Sequence, residues 1–157
     1  MTPKEIKHSA SNKFEYNQIT KNIYIGTNKC CQTHFKKILL SKGIKADISL
    51  EKEHLDKPLG VDYFLWLPVK NYFAPTQKQL NLGVELIESL VKNNLPVYVH
   101  CQNGHGRAPI LVAAYFILKG KTIKQAIDLI KSKRKSIHPN KKQLDALRKF
   151  ERLIKKQ

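Results

Sequence analysis

The chain has 157 residues, 41% hydrophobic and 26% charged, enough to bury the core of one domain without disulfides. Its 29 Lys and Arg against 12 Asp and Glu give a formal charge of +17, a field that concentrates anions such as phosphorylated proteins, polyphosphates or RNA; lysines spread over a solvated surface would produce the same surplus. No apolar run approaches the ~20 residues of a membrane span, Met1 to Asn12 lacks the apolar core of an export signal, and three cysteines, two of them adjacent as Cys30 and Cys31, make no disulfide framework. These features predict a cytoplasmic monomer without a membrane partner.

Residues 1–12 are expected to be a flexible leader, and residues 1–157 to form one domain. NIYIGT (22–27) and KADISL (45–50) are short β-branched and aromatic runs that predict strands. Between them Phe35, Ile38 and Leu39 have helical spacing, and Gly43 supplies the stop. VDYFLWLPV (61–69) predicts a third strand with Tyr63, Phe64 and Trp66 in the core, followed by the loop KNYFAP. Thr76 and Gln79 make a capping-box pair ahead of Leu80, Val84, Ile87, Leu90 and Val91 at helical spacing. PVYV (96–99) is short and wholly apolar, as a strand buried on both faces would be. APILVAAYFIL (108–118) is apolar all round and predicts a buried helix. Two amphipathic helices follow, one through Ile123, Ala126, Ile127 and Ile130, the other from Asn140 through Leu144, Leu147 and Ile154. This order predicts an α/β fold with a mainly parallel central sheet flanked by helices.

Between the central strand and the buried helix lies HCQNGHGR, residues 100–107. A strand, a glycine-containing loop and a helix present unpaired backbone N–H groups and the positive end of a helix dipole to an anion. Gly104 and Gly106 let successive amides turn inward, and Gln102, Asn103, Gly104, His105 and Gly106 would supply them. Arg107 adds a planar fork for two phosphate oxygens. Cys101 at the floor of such a cradle is favoured as thiolate, a nucleophile poised beneath a bound phosphoryl group. His100, on the buried strand, is assigned to holding the loop by hydrogen bonds.

HCQNGHGR carries the HCxxGxxR signature, and the chain resembles the cysteine-dependent protein phosphatases, most closely the small dual-specificity type. NIYIGT resembles that family's opening strand, FLWLPVKNYFAPT its general-acid strand and loop, and PNKKQLDAL its closing helix, so the resemblance spans most of residues 20–155. It implies hydrolysis of phosphomonoesters, phosphotyrosine first and phosphoserine or phosphothreonine as further candidates. Cys101 would form a phosphocysteine, Arg107 and the amides of residues 102–106 would bind the equatorial oxygens, and no metal or cofactor would be required.

Two positions depart from the family pattern. Where relatives carry an aspartate that protonates the leaving oxygen, the spacing to Ala74, Pro75 and Thr76 places Asn71, and an amide is no proton donor at useful pH. General acid catalysis commonly contributes ~10²–10⁴ in rate. Three explanations stay open: a slow or selective phosphatase drawing its proton from Asp62, His105 or water; an anhydride hydrolase such as an RNA 5′-triphosphatase, whose leaving group needs little protonation; or a catalytically weak phosphate-binding module. Ala108 replaces the Ser or Thr that assists thiolate departure in many relatives, which predicts slow breakdown of the phosphoenzyme.

Other residues have plainer readings. Cys30 and Cys31 are expected to pack rather than to act as resolving thiols, and Tyr72 and Phe73 could wall the pocket. Lys133 to Lys135 and the lysines from Lys141 to Lys156 are expected on solvated helix faces rather than along a nucleic-acid backbone. His8, His34, His54 and His138 lack metal-ligand spacing and are expected at the surface.

Overall fold

A computed structural model of the chain describes residues 14–28 and 35–157. Its strands are β1 (Tyr16–Thr20), β2 (Ile23–Gly26), β3 (Ala46–Glu51), β4 (Tyr63–Val69) and β5 (Val97–His100), in the sheet order β1-β2-β5-β3-β4. β1 runs antiparallel to β2, and the other neighbours are parallel. The expected α/β fold with a mainly parallel central sheet is therefore present. β5 is central: Val99 pairs with Ile25 of β2 on one side and Ile48 of β3 on the other. All four of its residues are buried, as its unbroken apolar run requires.

The two edges depart from expectation. β1 has no counterpart in the sequence reading, because YNQIT offers one buried apolar side chain, Ile19, and an edge strand needs no more. At the other edge Tyr63, Phe64 and Trp66 are 49%, 41% and 39% exposed, which corrects their placement in the core. β4 pairs with β3 alone, and only its carboxyl half, Leu67 and Val69, is buried. Of the helix expected before Gly43, the described part is a π-helical turn, Phe35–Leu39, and a 3-10 turn, Leu40–Lys42. Gly43 ends it at φ +82°, a conformation open to glycine.

Four helices follow: α1 (Gln77–Lys92), α2 (Arg107–Leu118), α3 (Ile123–Lys133) and α4 (Lys141–Lys155). α1, α3 and α4 each begin in a capping box, from Thr76 with Gln79, Thr122 with Gln125, and Asn140 with Gln143. α2 begins after Gly106 with no side-chain cap, so its first-turn N–H groups are not satisfied in that way. The main core joins Ile25, Ile48, Val97 and Val99 of the sheet to Ile110, Leu111 and Ala114 of α2. Each fully buried Ile or Leu contributes about 1.5–3 kcal/mol, which holds the amino end of α2 at the carboxyl end of β5. A smaller cluster of Tyr24, Leu39, Ile44 and Tyr98 forms separately. Among the described residues no helix is long and apolar enough to cross a membrane.

Candidate active site

The segment from Cys101 to Gly106 joins β5 to α2 without regular structure, and its carbonyls are tied from outside. Gln102 O accepts from Asn28 N at 3.3 Å, Asn103 O from Arg134 Nη2 at 2.8 Å, Gly104 O from Arg134 Nε at 2.9 Å, and His105 O from His138 N at 2.9 Å. Among the described residues no peptide bond is cis, so each C=O points away from the N–H of its own peptide plane. Four carbonyls drawn outward therefore turn the amides of residues 103–106 toward the opposite side. Gly104 makes the turn at φ +66°, where a Cβ would lie 2.7 Å from Gly26 O and 2.9 Å from Arg134 Nη2. The uncapped end of α2 closes the same concavity, a set of donors suited to an anion. Cys101 lies at its root, 3% exposed.

Arg107 opens α2 and is 2% exposed. Its Nη1 donates to Val69 O at 2.6 Å and to Glu53 Oε2 at 2.8 Å. Both bonds run from Nη1, which leaves the Nε–Nη2 edge as the one presented to two oxygens of a ligand. Glu53 also accepts from the backbone N–H of Asn71 at 2.6 Å, so one carboxylate couples the arginine to the loop after β4. Desolvation alone would raise the Glu53 carboxyl, but the hydrogen bonds from Arg107 and Asn71 outweigh it and hold it below the ordinary glutamate value.

Asn71 sits partly buried on that loop, and its Oδ1 accepts from Tyr72 N at 3.1 Å. Tyr72 holds φ +68°, rare for a bulky residue. Asn140 Nδ2 donates to Tyr72 O at 2.8 Å and Gln143 Nε2 to Phe73 O at 3.1 Å, so the amino end of α4 holds the loop in place. Gln143 also fills the space beside Gly106, where a Cβ would come 2.6 Å from its Oε1. Tyr72 and Phe73 are half exposed, and the ammonium groups of Lys142 and Lys70 lie 4.4 Å and 5.5 Å from the Phe73 ring.

Behind the loop, His100 is fully buried, and its Nε2 lies 3.1 Å from both Asp47 and Asp56. Its Nε2 ties β5, the strand that leads into the loop, to β3 and to the segment between β3 and β4. Potential metal-ligand atoms of Asp47, Asp56 and His100 lie within 4.8 Å of one another, but hydrogen-bond distances from one imidazole nitrogen to two carboxylates fit a shared proton. Burial pushes the Asp56 carboxyl up, with the His100 charge opposing and Asp47 adding to the rise. Burial also raises Glu51, against hydrogen bonding from Asn28.

Cys101, residues 102–106 and Arg107 thus meet at one concavity, and Asn71 is tied to Arg107 through Glu53. Asp62 stands apart: its N–H donates to Lys45 O at the amino end of β4, opposite to Asn71. His105 lies in the loop with its ring 4.8 Å from that of His138. Arg134, expected with its lysine neighbours on a solvated face, is 2% exposed and belongs to the site. Glu53, Asn140 and Gln143 were not singled out by sequence as site residues; a cap residue followed by Gln three positions on was the one signal for the last two. Cys30, Cys31, His8 and His34 lie outside the described residues.

The family model for the dual specificity phosphatase catalytic domain matches residues 23–153. Over 99 residues the chain is 34% identical to phosphatidylglycerophosphatase and protein-tyrosine phosphatase 1 of Homo sapiens, a stretch covering 62% of this chain and 49% of that protein. The chain thus spans about half the length of that relative. The crystal structure of PTPMT1 superposes with a TM-score of 0.77 at 25% identity, over 90% of this chain and 97% of that one. A putative dual specificity phosphatase from mouse, complexed with zinc tungstate, gives a TM-score of 0.81 at 20% identity over 96% and 95% of the two chains, a likeness of fold.

Proposed function

Because the chain belongs to the dual specificity phosphatase catalytic-domain family, we propose that it hydrolyses phosphate monoesters through a phosphocysteine on Cys101. One observation carries this reading: the outward-tied carbonyls of residues 102–105 surround a buried cysteine at the uncapped start of α2. The Cys101 thiolate attacks phosphorus, an S–P bond forms as the ester P–O bond breaks, and the leaving oxygen departs with the bonding pair. The inward amides and the Nε–Nη2 edge of Arg107 take up charge on the equatorial oxygens. Water then cleaves the S–P bond, releasing phosphate and restoring the thiolate.

Proton supply is the weak step. Asn71 carries no acid, so a phenolate leaving group, stable without protonation, departs more readily than an alkoxide. Phosphotyrosine in proteins is accordingly the first substrate class. A lipid phosphate monoester is the second reading, favoured by a relative whose name joins a phosphatidylglycerophosphatase to a protein-tyrosine phosphatase.

The test measures phosphate release from a phosphotyrosine peptide, a phosphothreonine peptide, vesicles containing phosphatidylglycerophosphate and RNA ending in a 5′-triphosphate, all at one salt concentration. Cys101→Ser is expected to abolish release from every substrate the wild type cleaves and to retain binding of inorganic phosphate. Turnover surviving that change would overturn the covalent mechanism. Preference for the RNA would replace the monoester reading with an anhydride one.

A further inference from the structure

Arg134, immediately after α3, is among the largest fully buried side chains of the protein. Its three hydrogen bonds go to Gly104 O from Nε at 2.9 Å, to Asn103 O from Nη2 at 2.8 Å and to Asn17 Oδ1 from Nη1 at 2.8 Å. Every acceptor is neutral, and among the described residues no carboxylate lies within ion-pair distance of it. A guanidinium taken out of water and given only neutral acceptors opposes folding unless an opposite charge compensates. Burial pulls its pKa below the ordinary arginine value, and Tyr98, Cys101 and Glu15, when ionised, push the other way. Arg107 differs, since Glu53 pairs with it at 2.8 Å.

The opposite charge that Arg134 lacks among its hydrogen-bond partners is the one the proposed site supplies. The phosphatase reading places a thiolate and then a phosphoryl dianion inside the loop whose outer surface Arg134 touches. Its two loop acceptors are consecutive carbonyls, met by the Nε–Nη2 edge of one planar fork. A single ammonium cannot reproduce that geometry. We propose that Arg134 is a positioning residue of the phosphate site: it holds the Asn103 and Gly104 carbonyls outward so that the amides of Gly104 and His105 face the phosphoryl group, and its charge stabilises, through the loop, the anion formed there. Asn17 on β1 steadies the far end of the fork, which gives an otherwise polar edge strand a part in the site. Gly104 belongs to the same device, since a Cβ there would lie 2.9 Å from Arg134 Nη2.

The inference rests on the phosphatase reading, and the experiment separates the two. Wild type, Arg134→Met, Arg134→Lys and, as a control, Lys135→Met are compared by circular dichroism, by binding of vanadate, and by the rate at which iodoacetamide alkylates Cys101 between pH 5.5 and 9. For Arg134→Met with a native spectrum, alkylation at pH 6 is expected to fall about tenfold, the deficit narrowing toward pH 9. Vanadate binding should weaken on the order of tenfold. Arg134→Lys, with the charge but one donor in place of two, should keep most of the reactivity at pH 6 and lose vanadate affinity. Lys135→Met, which removes an exposed positive charge next to Arg134 in sequence, should leave both readouts near wild type. A merely structural Arg134 would lower melting temperature without moving the pH profile, and that result overturns the proposal. Should Arg134→Met not fold, Arg134→Lys decides: unchanged vanadate affinity, or alkylation lost equally at every pH, refutes it. A wild-type Cys101 that reacts at pH 6 no faster than a free thiol overturns the nucleophile assignment itself, an outcome distinct from failure at Arg134.

Discussion

The floor of the site and its rim are built by opposite means. At the floor, four successive carbonyls are tied to Asn28, Arg134 and His138, Cys101 and Arg107 are buried, and the groups that would meet a ligand are mostly main-chain amides. At the rim, the loop after β4 is largely exposed, is held by Glu53, Asn140 and Gln143, and bends through Tyr72 at φ +68°. The contrast teaches that anion binding written into the backbone survives most side-chain changes, because no residue but glycine is obligatory for it. Proton delivery depends on the identity of one side chain, and under the proposed function that side chain is Asn71, an amide. A loop of this kind can keep its phosphate while its chemistry slows.

The largest effect should come from breaking the floor. Gly104→Ala places a methyl 2.7 Å from Gly26 O, in backbone that β2 cannot move, and forces an L-residue to φ +66°. The loop must rotate away, carrying amides off the ligand. The expected result is a rate loss on the order of 10²–10³, with a stability cost of about 1–3 kcal/mol, measured by turnover of an aryl phosphate and by thermal unfolding. Near-normal activity in this variant would show that the amide cradle is not what binds phosphate.

The next effect tests the rim. Asn71→Asp places a carboxyl at the position that the proposed function assigns to proton delivery, and it should raise turnover of alkyl phosphates by about tenfold or more while aryl phosphates gain less. The ratio of the two rates is the readout, because a general change in loop order would move both together. An unchanged ratio would mean that the leaving group takes its proton from elsewhere in the site.

The floor was legible in the sequence because it is local: one apolar strand, two glycines and one apolar helix lie within a short stretch, and the phosphate chemistry follows from their order. The groups that hold it came from far away. Arg134 meets Gly104 across 30 positions and Glu53 meets Arg107 across 54, and nothing in RKSIHPN or LEKEHL marks them as partners. Arg134 stands among lysines that are exposed, and charge alone does not say which of them turns inward. The aromatic residues of β4 were misplaced for a related reason: alternation tells which side chains share a face, but whether that face is covered depends on the position of the strand in the sheet. Asn71 could be located from spacing within its own loop, whereas its link to Arg107 through Glu53 required the fold.

The smallest effect joins floor and rim through two carboxylates that are two residues apart and oppositely placed. Glu51 is buried, accepts from Asn28 Nδ2 at 2.8 and 3.1 Å, and titrates above the ordinary glutamate value chiefly because of burial. Glu53 is largely exposed and titrates below it, because Arg107 and the Asn71 amide outweigh its partial burial. The two must therefore act on stability with opposite sign. A carboxyl raised in the folded state favours folding fully only below its unfolded value near 4.5, and that contribution is lost as pH rises through the folded value. A carboxyl lowered in the folded state favours folding above that same value and loses its contribution as pH falls through the folded one. Glu51→Gln should accordingly gain stability relative to wild type as pH rises from about 4 to 7, while Glu53→Gln should lose stability relative to wild type as pH rises from about 2.5 toward the unfolded value, modestly, since its carboxylate is screened by solvent. Thermal unfolding of the two variants and wild type from about pH 2.5 to 7 checks both signs. Parallel trends would mean that Glu53 is not held as the ionic link between Arg107 and Asn71 in solution. Opposite trends would establish that link independently of any turnover measurement, and with it the path by which the rim is fastened to the floor.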